Sequence, residues 1–189
     1  MTSYLASPVS RTLVCHPRTL SRGINSIDVR VESATKGILA LTFVLQGDLT
    51  SLRIPEQRPC RRVDELWRHT CFELFLMAAD GPGYREYNFS PSGEWAAYAF
   101  RDYRQANYQQ TGVATDEFAP LIRVHRNAQH LKLEAEVPLE RPLHRSIRLG
   151  LCAVVEAVDG GLSYWALRHP PGKPDFHHAD AFALQVGGS

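Results

Sequence analysis

Net charge is nearly absent: 21 Lys and Arg stand against 20 Asp and Glu, leaving +1 with histidine neutral. Without a one-signed surface there is no electrostatic footprint for nucleic acid or an anionic membrane, and neither is expected as a partner. Long apolar runs are also missing, so nothing reaches the roughly 20 residues of a membrane-spanning helix. The opening MTSYLASPVSRTLVCHP lacks the basic stretch followed by an apolar one that marks a secretory signal, so a cytoplasmic chain is expected. Cys15, Cys60, Cys71 and Cys152 form no CxxC pair or other metal-ligand spacing, and buried reduced thiols are expected, with Cys71 and Cys152 inside apolar runs. Helical periodicity is scarce throughout.

What remains is an all-β pattern. At 189 residues, with 44% hydrophobic and 22% charged, the chain has enough apolar material for a real core and is most simply one domain, residues 1–189. Short β-branched and aromatic runs are punctuated by Gly, Pro, Asn and Asp, which predicts an antiparallel β-sandwich, jelly-roll or immunoglobulin-like, of about ten or eleven strands. Leu13 to Cys15 makes a short first strand, and Ile27, Val29 and Val31 alternate with charged residues as a half-exposed one. Ile38 to Gln46 and Ile147 to Val158 are apolar on both parities, which predicts central strands covered on both sides. Leu49 to Val63 reads as a polar loop in which Arg58, Arg61 and Arg62 are solvated or form an anion-attracting rim. Phe118 to Arg126 and Leu131 to Val137 form a hairpin around Asn127-Ala128-Gln129, and Ala181 to Val186 a closing strand.

Most interpretable polar chemistry falls between Asp64 and Arg101. In Cys71 to Met77 the even positions Phe72, Leu74 and Leu76 suit a core, leaving Glu73, Phe75 and Met77 on the other face. Pairing Met77 with Tyr84 across the following turn sets Phe75 against Glu86 and Glu73 against Asn88. A second turn at Ser90 to Gly93 is expected to add Trp95, Ala97 and Ala99 to that face. Carboxylates, an amide and an aromatic platform are what a small polar ligand needs; the alternative is that Glu73, Glu86 and nearby arginines pair across a solvated sheet.

The runs LWRHTCFELFL, YREYNFSPSGEWAAYAF and YWALRHPPGKPDFHHADAF resemble bacterial proteins of the DOMON-like group, related to family 9 carbohydrate-binding modules and to DOMON domains that bind haem or sugar. The most specific pieces are Trp67 with Phe72-Glu73-Leu74-Phe75, and the hairpin Tyr84 to Gly93. The resemblance implies a non-catalytic sandwich that binds a small ligand such as a carbohydrate. Trp67 then corresponds to a sugar-stacking aromatic with Trp165 opposite, and Arg85, Glu86, Asn88 and Arg168 satisfy hydroxyls. Each tryptophan has ordinary core packing as its other reading.

The Pro-rich segment Arg168 to Asp180 forbids a regular strand and predicts an ordered loop over the sheet, from which Arg168 and Lys173 can meet an anionic ligand group. Its histidines and acids, His169, Asp175, His177, His178 and Asp180, fit a metal site less well than backbone hydrogen bonding, because adjacent histidines on extended chain point apart. No cofactor is expected; haem, with Met77 and His169 as conceivable axial ligands, ranks behind sugar. Two further functions stay open. One is a glycoside-acting enzyme using Glu73 and Glu86, and the other is a protein-interaction module.

Overall fold

A computed structural model describes residues 8–34, 37–78, 81–106, 119–139 and 146–186. Among them there is no α-helix, and thirteen strands follow one another: β1 (Val9–Thr12), β2 (Val14–Cys15), β3 (Ile24–Ala34), β4 (Ile38–Gly47), β5 (Cys71–Ala78), β6 (Tyr84–Phe89), β7 (Trp95–Asp102), β8 (Gln105–Ala106), β9 (Leu121–Arg126), β10 (His130–Pro138), β11 (Ile147–Glu156), β12 (Leu162–Ala166) and β13 (Leu184–Val186). No helix of the described residues is long and apolar enough to cross a membrane.

The strands form two antiparallel sheets. One runs β1-β3-β4-β10-β9; the other runs β2-β12-β11-β5-β6-β7-β8, with β13 pairing the early part of β11. The two are packed face to face as a sandwich. Period-two alternation supplies the interior: Leu39, Leu41, Phe43 and Leu45 of β4 and Leu131, Leu133 and Ala135 of β10 meet Phe72 and Leu74 of β5 and Leu149 and Leu151 of β11. Phe43 and Phe72 join the layers with ring centroids 5.1 Å apart. At roughly 1.5–3 kcal/mol for each large apolar side chain fully buried, this seam dominates the stability of the fold.

The predicted sandwich is therefore present, with some boundaries moved. The first strand is split into β1 and β2 around Leu13, which is buried. Ala179–Ala181 is a 3-10 turn, so the closing strand begins only at Leu184. Of the predicted hairpin, β9 begins at Leu121, and Phe118 lies outside the described residues. Its turn is as expected, with Asn127 Oδ1 accepting from the backbone of Gln129 and His130, each at 2.9 Å.

Covering both faces was predicted for β4 and β11, and only β11 has it. β4 is interior to its sheet, but its outward residues are half-buried or exposed, with no layer over them among the described residues. On β11, Cys152 and Val154 face away from the main core and are still buried, joined by Phe75, Tyr84, Ala166, Phe176 and Phe182 in a second cluster. The chain after β12 supplies this cover. Arg148 holds it down by donating to the carbonyls of Ala179 (2.7 Å) and Phe182 (3.2 Å).

Gly150 shows how closely that cover sits. A Cβ there would lie 3.2 Å from the Cβ of Phe75 and 3.3 Å from the carbonyl oxygen of Ala181. Gly150→Val is expected to cost about 1–3 kcal/mol by overpacking, lowering the melting temperature by roughly 2–4 °C per kcal/mol in a chain of this size. An unchanged melting temperature in a thermal denaturation experiment would contradict the close seat of the 179–181 turn.

Candidate functional site

The second cluster borders a cavity on the outer face of the larger sheet. β5 and β6 pair with Met77 opposite Tyr84, Phe75 opposite Glu86 and Glu73 opposite Asn88, the register the sequence parity predicts. On the other edge of β5, Cys152 of β11 stands opposite Glu73, and Val154 of β11 stands opposite Tyr164 of β12. β7 departs from expectation by one residue. Glu86 pairs with Tyr98, Asn88 with Ala96 and Tyr84 with Phe100, so Trp95, Ala97 and Ala99 point to the opposite face.

Two segments raise walls around this floor. The 3-10 turn Leu66–Arg68 presents Trp67, 44% exposed, beside Asp64 and Glu65. The loop after β12 contributes Pro174, Phe176 and His177. Between them lies a cavity of about 520 Å3, within the range of small-molecule sites.

The loop keeps its shape through Asp175. Its carboxylate accepts from the Tyr103 hydroxyl (2.7 Å), the Arg104 guanidinium (2.9 Å) and the backbone N–H of His177 (3.2 Å). Arg104 and Glu65 are the non-glycine residues with positive φ among those described, at 52° and 64°, and both line the cavity. Left-handed backbone is costly for such side chains and concentrates at functional sites.

The floor is acidic and its carboxyls are buried. Glu73 is 3% exposed, and its Oε1 has no hydrogen-bond partner. Glu86 is buried too; its Oε1 accepts from the Asn88 amide at 2.7 Å, and its Oε2 lies 3.7 Å from His177 Nε2. Burial, and then the charge of Glu86, push the Glu73 carboxyl well above the usual carboxylate range. Burial raises Glu86 to about 7, against the opposing pull of Asn88 and Arg104. Leaving a neutral carboxyl without a partner costs roughly 1–3 kcal/mol, whereas an isolated buried carboxylate costs far more. Burial and mutual repulsion therefore favour the protonated form of the pair at neutral pH.

His177 completes the network as a neutral ring. Burial, followed by Arg104, lowers its pKa to about 4. The Tyr84 hydroxyl accepts from the Arg104 N–H at 3.1 Å and lies 2.8 Å from His177 Nδ1. Donating to Nδ1 places the ring hydrogen on Nε2, facing Glu86. Burial likewise pushes up the thiols of Cys71 and Cys152 on either side of Glu73, which makes them inert.

Of the residues singled out from the sequence, Trp67, Glu73 and Glu86 line the cavity, and Asn88 lies buried on the same face as a support for Glu86. Trp95 does not line it: it is 1% exposed on the other side of the sheet, under backbone bonds to Arg61 and Val63. Trp165 is a core residue opposite Ala153, with its indole N–H on Ser163 Oγ at 3.0 Å. Tyr164 takes the place expected of it.

Arg85 shares the parity of Tyr87 and faces away from the cavity. Arg168 and Lys173 are exposed on the loop outside the lining. His169 bonds the Val14 carbonyl through Nε2 at 2.8 Å and packs on His16 and Phe176, so it backs the wall rather than facing a ligand. Arg58 and Arg61 pair with Glu94, and Arg62 with Asp64. Cys71 and Cys152 are buried, Cys15 is half-buried and Cys60 is exposed. Among the described residues no group of three or more His, Cys, Asp or Glu is placed to hold a metal ion. Tyr98, Phe100, Val154 and Tyr164 were missed, although strand parity carries all four once the pairing is known.

No protein-family model matches the sequence. No curated protein matches it either. Solved structures do match in fold. A protein from Bacteroides uniformis ATCC 8492 described as a "putative carbohydrate-binding protein" superposes with a TM-score of 0.68 at 12% identity, over 95% of this chain and 85% of that one. A family 9 carbohydrate-binding module from Caldicellulosiruptor kristjanssonii is more distant. In complex with cellotriose it gives a TM-score of 0.49 at 7% identity over 87% of this chain and 74% of that one; with glucose, 0.49 at 8% over 99% and 91%. At such identities the likeness is one of fold.

The buried carboxyls set the response to pH. A carboxyl whose pKa is raised on folding binds more protons folded than unfolded, so its contribution is full below the ordinary value near 4.5 and is lost as pH rises through the folded value, about 7 for Glu86 and well above 4.5 for Glu73. Between about 4 and 6.5 His177 acts in the opposite sense, so the effect is best read as a difference between proteins. Glu73→Gln is expected to melt several degrees above wild type near pH 8, at roughly 2–4 °C per kcal/mol, with the gain shrinking toward pH 4.5. A pH-independent difference would rule out protonation of this pair as its source.

Proposed function

We propose that this chain is a non-catalytic binder of a small, sugar-like ligand held in the cavity on the outer face of the larger sheet. The observation that carries the reading is the pairing of aromatic walls, Trp67, Tyr98, Tyr164 and Phe176, with hydrogen-bonding carboxyls on a rigid floor. Aromatic faces accept the apolar side of a pyranose, and groups on paired strands offer fixed acceptors for its hydroxyls. The fold shared with the Bacteroides protein described as carbohydrate-binding agrees with it.

Binding is preferred to glycoside cleavage on geometric grounds. Glycosidase carboxyls flank the scissile bond, whereas Glu73 and Glu86 rise from adjacent strands of one sheet and approach a ligand from the same side. Scattered exposed apolar residues such as Val14, Leu20 and Val158 lie away from the cavity and do not describe a protein-docking face.

The test is a calorimetric and thermal-shift screen of mono- and disaccharides. At least one is expected to bind, with Trp67→Ala and Tyr164→Ala weakening it about tenfold, the loss of one stacking face. Trp165→Phe is expected to lower the melting temperature and leave affinity alone. No binding by any sugar, or equal losses from Trp165 and Tyr164 substitutions, would overturn the reading.

A further inference from the structure

The cavity holds acid without matching base. Its rim carboxylates have partners: Arg62 and the Tyr98 hydroxyl bond Asp64 at 2.9 and 3.0 Å, and Arg68 bonds Glu65 at 2.8 Å. The lining guanidinium, Arg104, is held by Asp175 at 2.9 Å. On the floor, Glu73 and Glu86 have no Lys or Arg ion pair among the described residues. Glu86 Oε2 lies 3.7 Å from His177 Nε2, a ring that burial keeps neutral, and the charge of Arg104 acts on Glu86 without forming an ion pair with it. Glu73 Oε1 is buried and accepts nothing.

Hydroxyl groups need acceptors that amides would supply without burying titratable groups side by side, so they do not by themselves account for two neighbouring carboxyls on one buried floor. A cation does. Carboxylates beneath and aromatic rings around are the two features that hold an ammonium group; Trp67, Tyr98 and Tyr164 line the cavity, with Arg68 over one face of Trp67 at 5.3 Å and Arg62 over one face of Tyr98 at 5.8 Å.

We propose that the ligand carries a protonated amine, seated on Glu73 and Glu86 and flanked by Trp67 and Tyr164, with an amino sugar as the simplest such molecule. The proposal rests on the sugar-like reading for the rest of the ligand and not for the amine. It also predicts proton release. In the free protein Glu73 shares the floor with Glu86, between thiols and Tyr164, whose hydroxyl is also pushed up, so protonation of the pair relieves the repulsion. Around Glu86, Asn88, Arg104, neutral His177 and the Tyr84 hydroxyl keep their states. An arriving ammonium replaces that proton, which passes to the buffer; a neutral sugar leaves it in place.

The experiment is isothermal titration calorimetry at about pH 6.5, where primary amines of sugars are mostly charged, in two buffers of different ionisation enthalpy. The probes are glucose, glucosamine, N-acetylglucosamine and choline. Glucosamine is expected to bind about tenfold or more tightly than glucose or N-acetylglucosamine, with a buffer-dependent heat that reports proton release. In Glu73→Gln and separately Glu86→Gln, each checked for a cooperative melt, the ratio of glucosamine to glucose affinity is expected to fall to about one. Glucose or the acetylated sugar binding as tightly as glucosamine would overturn the ammonium proposal and leave sugar binding standing. Choline binding with no sugar binding would overturn the sugar reading and support the ammonium. Silence from all four probes would overturn both.

Discussion

Everything in the candidate site depends on β5 being hydrogen-bonded along both of its edges. With β11 on one side and β6 on the other, the strand cannot slip by one residue without exchanging its two faces, which would bring Glu73 into the sandwich core and turn Phe72 outward. The hydrophobic seam at Phe43 and Phe72 therefore fixes the carboxyl floor indirectly. Glu73 sits where it does because its neighbours on either side in sequence have nowhere else to go.

That coupling explains which parts were legible in the sequence. Alternation gave the parity of β5 and β6, a supposed pairing of Met77 with Tyr84 supplied the register, and the face so assigned to Glu73, Phe75, Glu86 and Asn88 is the one observed. The next hairpin failed by one position. A turn confined to Ser90 to Gly93 would place Trp95 beside Asn88; instead Ser90 pairs with Glu94 across the turn (2.9 Å), Phe89 meets Trp95, and the parity is reversed. Glu94 stays there because Ser92 and Arg61 bind its buried carboxylate, a tertiary arrangement that no local pattern announces. Trp165 misled for a related reason. The larger aromatic drew the ligand-facing role, but strand alternation gives it to Tyr164, and only the pairing with β11 decides between them.

The loop after β12 was visible only as a segment that could not be a strand. Its role as a wall arises from contacts far apart in sequence: Asp175 with Tyr103 and Arg104, His169 with Val14, Arg148 with the 179–181 turn. Each is modest alone. Together they hold irregular backbone against the outer face of the sheet, and the burial this creates raises the carboxyl pKa values. Loop order and floor chemistry are thus one phenomenon seen at two depths.

Because the core and the floor occupy alternate residues of the same strands, recognition is separable from folding at the level of single positions. Tyr98 and Tyr164 line the cavity on positions that alternate with the core residues Ala97, Ser163 and Trp165, whereas Phe75 and Val154 also belong to the second buried cluster. Such a scaffold can drift in what it recognises while its architecture stays put, and descendants sharing a backbone need share few letters.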